Sequence, residues 1–123
     1  MALTQMEYDE NVKTGTITSA FTLSPTTYAK IIEHTVNVNI GLNSVTASNG
    51  DTLATIPEGF RPSQSIFVTG VNSTMMTPII VTVGTDGKVT LDSTFVYDGT
   101  YAVKWQNSIS NSNIRINASW ETS

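Results

Sequence analysis

Ile31-Ile32-Glu33-His34-Thr35-Val36-Asn37-Val38-Asn39-Ile40-Gly41-Leu42 decides the fold class. Its even positions read Ile32, His34, Val36, Val38, Ile40 and Leu42, and its odd positions read Glu33, Thr35, Asn37, Asn39 and Gly41. Side chains alternate across a strand, so this run has one apolar and one polar face. That is the pattern of an antiparallel sheet with one face on a core and one in water. The run therefore predicts one continuous strand, with His34 on its apolar face.

The same period recurs on both sides. Before the run, Ile17, Phe21 and Leu23 share one parity while Thr16, Thr18 and Thr22 share the other, until Ser24-Pro25-Thr26-Thr27 breaks the pattern. Tyr28 to Ile32 is the best helical candidate and is too short to stand as one. After the run, Asn43 to Gly50 reads as a turn region holding a short strand at Val45–Ala47. Asn49-Gly50-Asp51 is its turn signal, because Asn and Gly tolerate positive φ. Pro57 and Gly59 suit positions i+1 and i+3 of a β-turn. Further strands are expected at 65–71, at 78–83, at 88–91 after the Gly84-Thr85-Asp86-Gly87 hairpin turn, at 100–106 after the Asp98-Gly99 turn, and at 113–120. Asn107 to Asn113 reads as a polar loop.

These runs make about eight short strands in 123 residues. The expected fold is all-β, a single antiparallel β-sandwich or jelly-roll-like domain. Residues 1–13 show no period and are expected to form an N-terminal arm or linker, with 14–123 as the domain. Composition agrees: Ile and Val number 22 against 5 Leu, and β-branched residues favour strands.

Charge is scarce. Only 13% of residues are Asp, Glu, Lys or Arg, and polarity comes from 20 Thr, 13 Ser and 10 Asn. Six basic residues against ten acids, net −4, cannot make the basic stripe that nucleic acid requires, so no nucleic-acid partner is expected. The absence of cysteine excludes disulfides and thiolate sites. No apolar run reaches the length of a membrane span, so no membrane insertion is expected. Met1 to Glu7 lacks the basic and apolar regions of a signal peptide.

No residue pattern marks catalysis. The carboxylates are dispersed, with no sign of the paired acids a glycosidase needs. His34 is the sole histidine and has no ligand cluster around it. The expectation is a non-enzyme without metal or cofactor. Trp105 and Trp120 lie on the apolar parity of their strands and read as core or subunit interface. Tyr97, Asp98 and Tyr101 lie at a strand end and turn. Asn107, Asn111 and Asn113 crowd one segment, with Arg115 beyond. Rings, amides and a guanidinium suit hydroxyl and phosphate ligands, so these seven residues are the candidate ligand-binding set.

Two stretches carry a family resemblance. Ile56-Pro57-Glu58-Gly59-Phe60-Arg61-Pro62-Ser63 resembles a "(L/I)P-x-G-(Y/F)-R-P-S" segment of C-terminal domains in tail and baseplate proteins of phages infecting Gram-positive bacteria. Val81-Thr82-Val83-Gly84-Thr85-Asp86-Gly87-Lys88-Val89-Thr90-Leu91 resembles the hairpin that follows it there. The likeness covers roughly Tyr28 to Trp120. It implies a homotrimeric receptor-binding head of a virion tail tip or baseplate. Such a head contacts other tail proteins and adsorbs to the host by binding a cell-surface glycopolymer, either cell-wall polysaccharide or teichoic acid. The alternative is a structural tail or baseplate component that assembles without binding saccharide.

Overall fold

The computed structural model describes residues 12–97 and 103–122. Its strands are β1 (Val12–Gly15), β2 (Thr22–Leu23), β3 (Tyr28–Ile32), β4 (Thr35–Ser48), β5 (Thr52–Thr55), β6 (Ile66–Asn72), β7 (Thr77–Val83), β8 (Lys88–Tyr97), β9 (Val103–Gln106) and β10 (Ser108–Glu121). Every strand pairing is antiparallel. The sheet order is β1-β3-β4-β10-β6-β7-β8-β5, with β2 on β4 and β9 on β8. The expected all-β antiparallel class therefore holds.

The sheet is strongly curled. Chain leaving β1 at one end of the order reaches β5 at the other, where Thr18 and Thr55 exchange backbone hydrogen bonds of 3.2 and 2.8 Å. At the centre, β10 and β6 share only the registered pairs Ile114↔Asn72 and Arg115↔Val71. The curl gathers the apolar parity of each strand into one core: Val36, Val38, Ile40 and Leu42 of β4, Ile79, Val81 and Val83 of β7, Val89 and Leu91 of β8, and Ile114, Ile116 and Trp120 of β10. Burying each such aliphatic side chain contributes about 1.5–3 kcal/mol. Trp120 also donates from Nε1 to the Phe60 carbonyl at 2.7 Å, which ties β10 to the turn after β5.

Four expectations change. Asn43 to Ser48, expected as a turn region with a short strand at Val45–Ala47, is the second half of the continuous β4. The run from Ile31 to Leu42 is two strands, β3 and β4, which pair as a hairpin through Ile32↔Thr35. The turn is Glu33-His34, and Glu33 takes a φ of 59°. His34 is consequently exposed, not on the core face. The polar stretch from Asn107 to Asn113 is largely strand: β10 begins at Ser108 and follows β4 through register shifts around Ser112. Those irregularities accompany positive φ at Ser44 (56°) and Asn111 (45°). A bulge lets a polar strand bend while it keeps pairing. Finally, the turn after Ile56 has Pro57 at position i, because the Phe60 amide donates to the Pro57 carbonyl at 3.2 Å. Gly59 at i+2 takes a φ of 90°, as a type II turn demands.

The β7–β8 hairpin forms as expected. Gly87 N donates to Gly84 O at 2.9 Å, Gly84 N to Lys88 O at 3.0 Å, and Gly87 adopts a φ of 86°. This is the three-residue hairpin loop that closes with a left-handed residue. Most of the expected arm, residues 1–11, and the Asp98-Gly99 turn lie outside the described residues; Val12 and Lys13 pair with β3.

Candidate functional site

The outward parity of β3, β4 and β10 forms a polar face on which register aligns side chains in rows. One row is Tyr28–Asn39–Asn117, and the next is Lys30–Asn37–Ser119. The intervening rows, Ala29–Val38–Ala118 and Ile31–Val36–Trp120, turn toward the core. Strand spacing makes each row about 10 Å wide, and the two rows stand about 7 Å apart. A shallow groove of about 410 Å³ lies on this face, lined by Tyr28, Asn37, Val38, Asn117, Ala118 and Ser119.

Lys30 is the charged side chain of the two rows, and Glu121, paired with Thr35, and Arg115, paired with Gly41, flank them on the same parity. Tyr28 is 41% exposed and is the one large aromatic on the face. Lys30 Nζ stands 4.9 Å from its ring centroid, within cation–π range. Asn39 donates from Nδ2 to the Thr26 carbonyl at 2.9 Å, which fixes its amide orientation. The 24–27 segment is itself pinned on β4: Ser24 N donates to Gly41 O at 2.8 Å and Gly41 N to Thr27 Oγ1 at 3.0 Å. Gly41 permits this approach, because a Cβ there would lie 2.7 Å from Ser24 Cβ. The result is a ring, three amides and a hydroxyl held on rigid strands. They offer both donors and acceptors to a hydroxyl-rich ligand.

Of the seven candidate residues from the sequence, Asn113 and Arg115 share the polar parity of β10 with Asn117 and Ser119, but none lines the groove. Asp98 and Tyr101 lie outside the described residues. Tyr97 ends β8, paired with Val103. Asn107 is exposed between β9 and β10, and its carbonyl accepts from Asn49 N at 2.6 Å. Asn111 is exposed and donates from its backbone amide to Thr46 Oγ1 at 3.0 Å. Asn113 is a junction. Its Oδ1 accepts from Ser44 N (3.1 Å), its amide donates to Thr74 Oγ1 (2.9 Å), and its carbonyl accepts from Ser73 N (2.8 Å). Arg115 is half-buried and clamps two strands: Nη1 donates to Ile114 O (2.8 Å), Leu42 O (3.3 Å) and Asn43 Oδ1 (3.4 Å). A cavity of about 190 Å³ opens near these residues, but Asn72, Met75 and Gln106 line it rather than Asn107, Asn111 or Asn113.

Sequence reading passed over Tyr28, Asn37, Asn117 and Ser119. The available signal was the polar parity of two runs, Asn37-x-Asn39 and Asn113-x-Arg115-x-Asn117-x-Ser119. Each alone reads as a solvated strand face. Among the described residues, no group of three or more His, Asp or Glu is placed to hold a metal ion. No family matches the chain, and no curated protein does.

Proposed function

We propose that this chain is a glycopolymer-binding module: a β-sandwich receptor-binding head of a phage tail or baseplate that adsorbs to cell-wall polysaccharide or teichoic acid. The observation that carries the binding reading is the pair of cross-strand rows, Tyr28–Asn39–Asn117 and Lys30–Asn37–Ser119. A pyranose face stacks on an aromatic ring, while its hydroxyls need amide and hydroxyl partners around it. A face held by backbone ladders loses little further freedom on binding. The phage setting rests on the resemblance of the 56–63 and 81–91 segments. The sandwich reading rests on the short β10–β6 ladder, which divides the strands into two groups over one core.

In this reading the protein is a binding protein without cofactor. It acts outside the host cell as part of a virion, as a homotrimer joined to other tail proteins. The test is retention of the purified protein on Gram-positive cell walls, with light scattering on the same sample. Retention by a trimer supports the reading, and a monodisperse monomer that stays in the supernatant refutes it.

A second reading, a tail component that assembles without binding saccharide, is favoured by a different surface. Phe67 (76%) and Val71 are exposed on one side of β6, and Met75 and Met76 (74%) are exposed in the turn that follows it. Exposed large apolar side chains are a feature of contact surfaces. Assembly without wall retention would select this reading.

A further inference from the structure

We propose that the cleft beside Arg61 binds an oxyanion group, a phosphate or a carboxylate borne by a larger ligand. The cleft lies where the turn after β5 meets the β7–β8 hairpin, with Thr122 just past β10 on its rim, and no residue of the Tyr28 and Lys30 rows lines it, so it is a separate site.

The arginine is held in place from one side. Its Nε donates to the Ile56 carbonyl at 3.0 Å. Its guanidinium lies across Gly87, where an added Cβ would fall 2.5 Å from Nε and 3.1 Å from Cζ. Gly87 in turn accepts from the Ile56 amide at 2.8 Å, so both supports belong to one hydrogen-bonded unit. The buried Pro62 follows directly and limits the backbone at the exit.

Among the described residues, the Nε bond is the only hydrogen bond made by the Arg61 side chain. Arg115 differs, since its Nη atoms are taken by Leu42 O, Ile114 O and Asn43 Oδ1. The Arg61 cleft measures about 460 Å³ and is lined also by Glu58, Ser63, Thr85 and Thr122. Thr122 Oγ1 already donates to His34 O at 3.3 Å, whereas the Ser63 and Thr85 hydroxyls make no hydrogen bond among the described residues. A planar guanidinium fixed through Nε presents its remaining N–H groups as a fork. That geometry matches two oxygens of a phosphate or carboxylate, and hydroxyls at its flanks complete the shell.

Glu58 is the opposing charge. It occupies an exposed turn position at the rim, and its carboxylate weakens anion binding through space. That sign makes it diagnostic. An oxyanion binds more tightly when Glu58 is neutralised, whereas a neutral diol or a cation would lose an acceptor.

The experiment is an amide and arginine-Nε correlation titration of the intact protein with inorganic phosphate at constant ionic strength. Saturable shifts are expected at Arg61 Nε–H and at the Ser63 and Thr85 amides. Arg61→Lys keeps the charge but removes the fork and should weaken binding at least about tenfold. Glu58→Gln should tighten it. Ser63→Ala with Thr85→Val leaves the Arg61–Ile56 bond intact and should weaken it, so a folding defect at Arg61 does not decide the result. Parallel titrations with glycerol phosphate and glucuronate separate the sources, and saturation of the same resonances by either supports the site. Non-saturating shifts, shifts spread over every basic residue, or weaker binding by Glu58→Gln overturn the proposal.

Discussion

The Ile56 amide donates to the Gly87 carbonyl at 2.8 Å, and this bond carries the β5–β8 ladder on to join the turn after β5 to the β7–β8 hairpin. Arg61 reinforces it by donating to Ile56 O at 3.0 Å while covering Gly87. Two sequence segments that look like separate turns thus form one folded unit. Its tightest point is Gly87, at a φ of 86° with the Ile56 carbonyl and the Arg61 guanidinium against its Cα.

Gly50 provides the control for that contact. Its φ is 89°, nearly the same, yet nothing lies within 4 Å of an added Cβ. Gly50→Ala should therefore cost only the left-handed penalty, about 1–2 kcal/mol. Gly87→Ala should cost about 1–3 kcal/mol more, because the methyl must displace the carbonyl or the guanidinium. Urea unfolding of both variants measures the difference. Equal losses would mean that the close approach at Gly87 carries no energetic weight.

Thr77 should be improvable. It is 2% exposed, and its Oγ1 has no hydrogen-bond partner among the described residues. A buried hydroxyl without a partner retains its desolvation cost. Thr77→Val keeps the branched shape and should raise stability by about 1 kcal/mol. A lower urea midpoint for this variant would show that the hydroxyl has a partner.

Arg115 separates architecture from binding. Its Nη1 bonds to Leu42 O and Ile114 O hold β4 to β10 beside the proposed saccharide rows, where Arg115 pairs with Gly41 one step beyond Asn117. Arg115→Gln should lower stability by about 1–3 kcal/mol, as expected when hydrogen bonds to a charged group are lost. It should leave wall retention of the folded fraction unchanged. Loss of retention at full stability would return Arg115 to the ligand-contacting set.

The strands were legible wherever the signal was local. The parity of Val36, Val38, Ile40 and Leu42 is the buried parity, and the Thr85-Asp86-Gly87 loop carries its own turn chemistry. The Glu33-His34 turn was hidden because it uses neither Gly, Asn nor Pro; Glu33 reaches a φ of 59° without any residue suited to it. β10 was partly hidden for the opposite reason. Its Asn- and Ser-rich start looks like a loop, and pairing with β4 more than sixty residues earlier makes it a strand, as in Ile109↔Ala47. The candidate face was illegible on the same ground. Tyr28, Asn39 and Asn117 become neighbours only through the β3–β4–β10 register, which no single run specifies.

The rows Tyr28–Asn39–Asn117 and Lys30–Asn37–Ser119 are the proposed saccharide site. Calorimetric titration of soluble cell-wall glycopolymer fragments into the wild-type protein and into Tyr28→Ala, Asn37→Ala and Asn117→Ala tests it most directly. Saturable binding by the wild type is expected, with a loss of about 1–3 kcal/mol for Tyr28→Ala, smaller losses for the two amides and an unchanged unfolding midpoint in all three. Binding that survives in all three variants, or no binding by the folded wild-type protein, would contradict it.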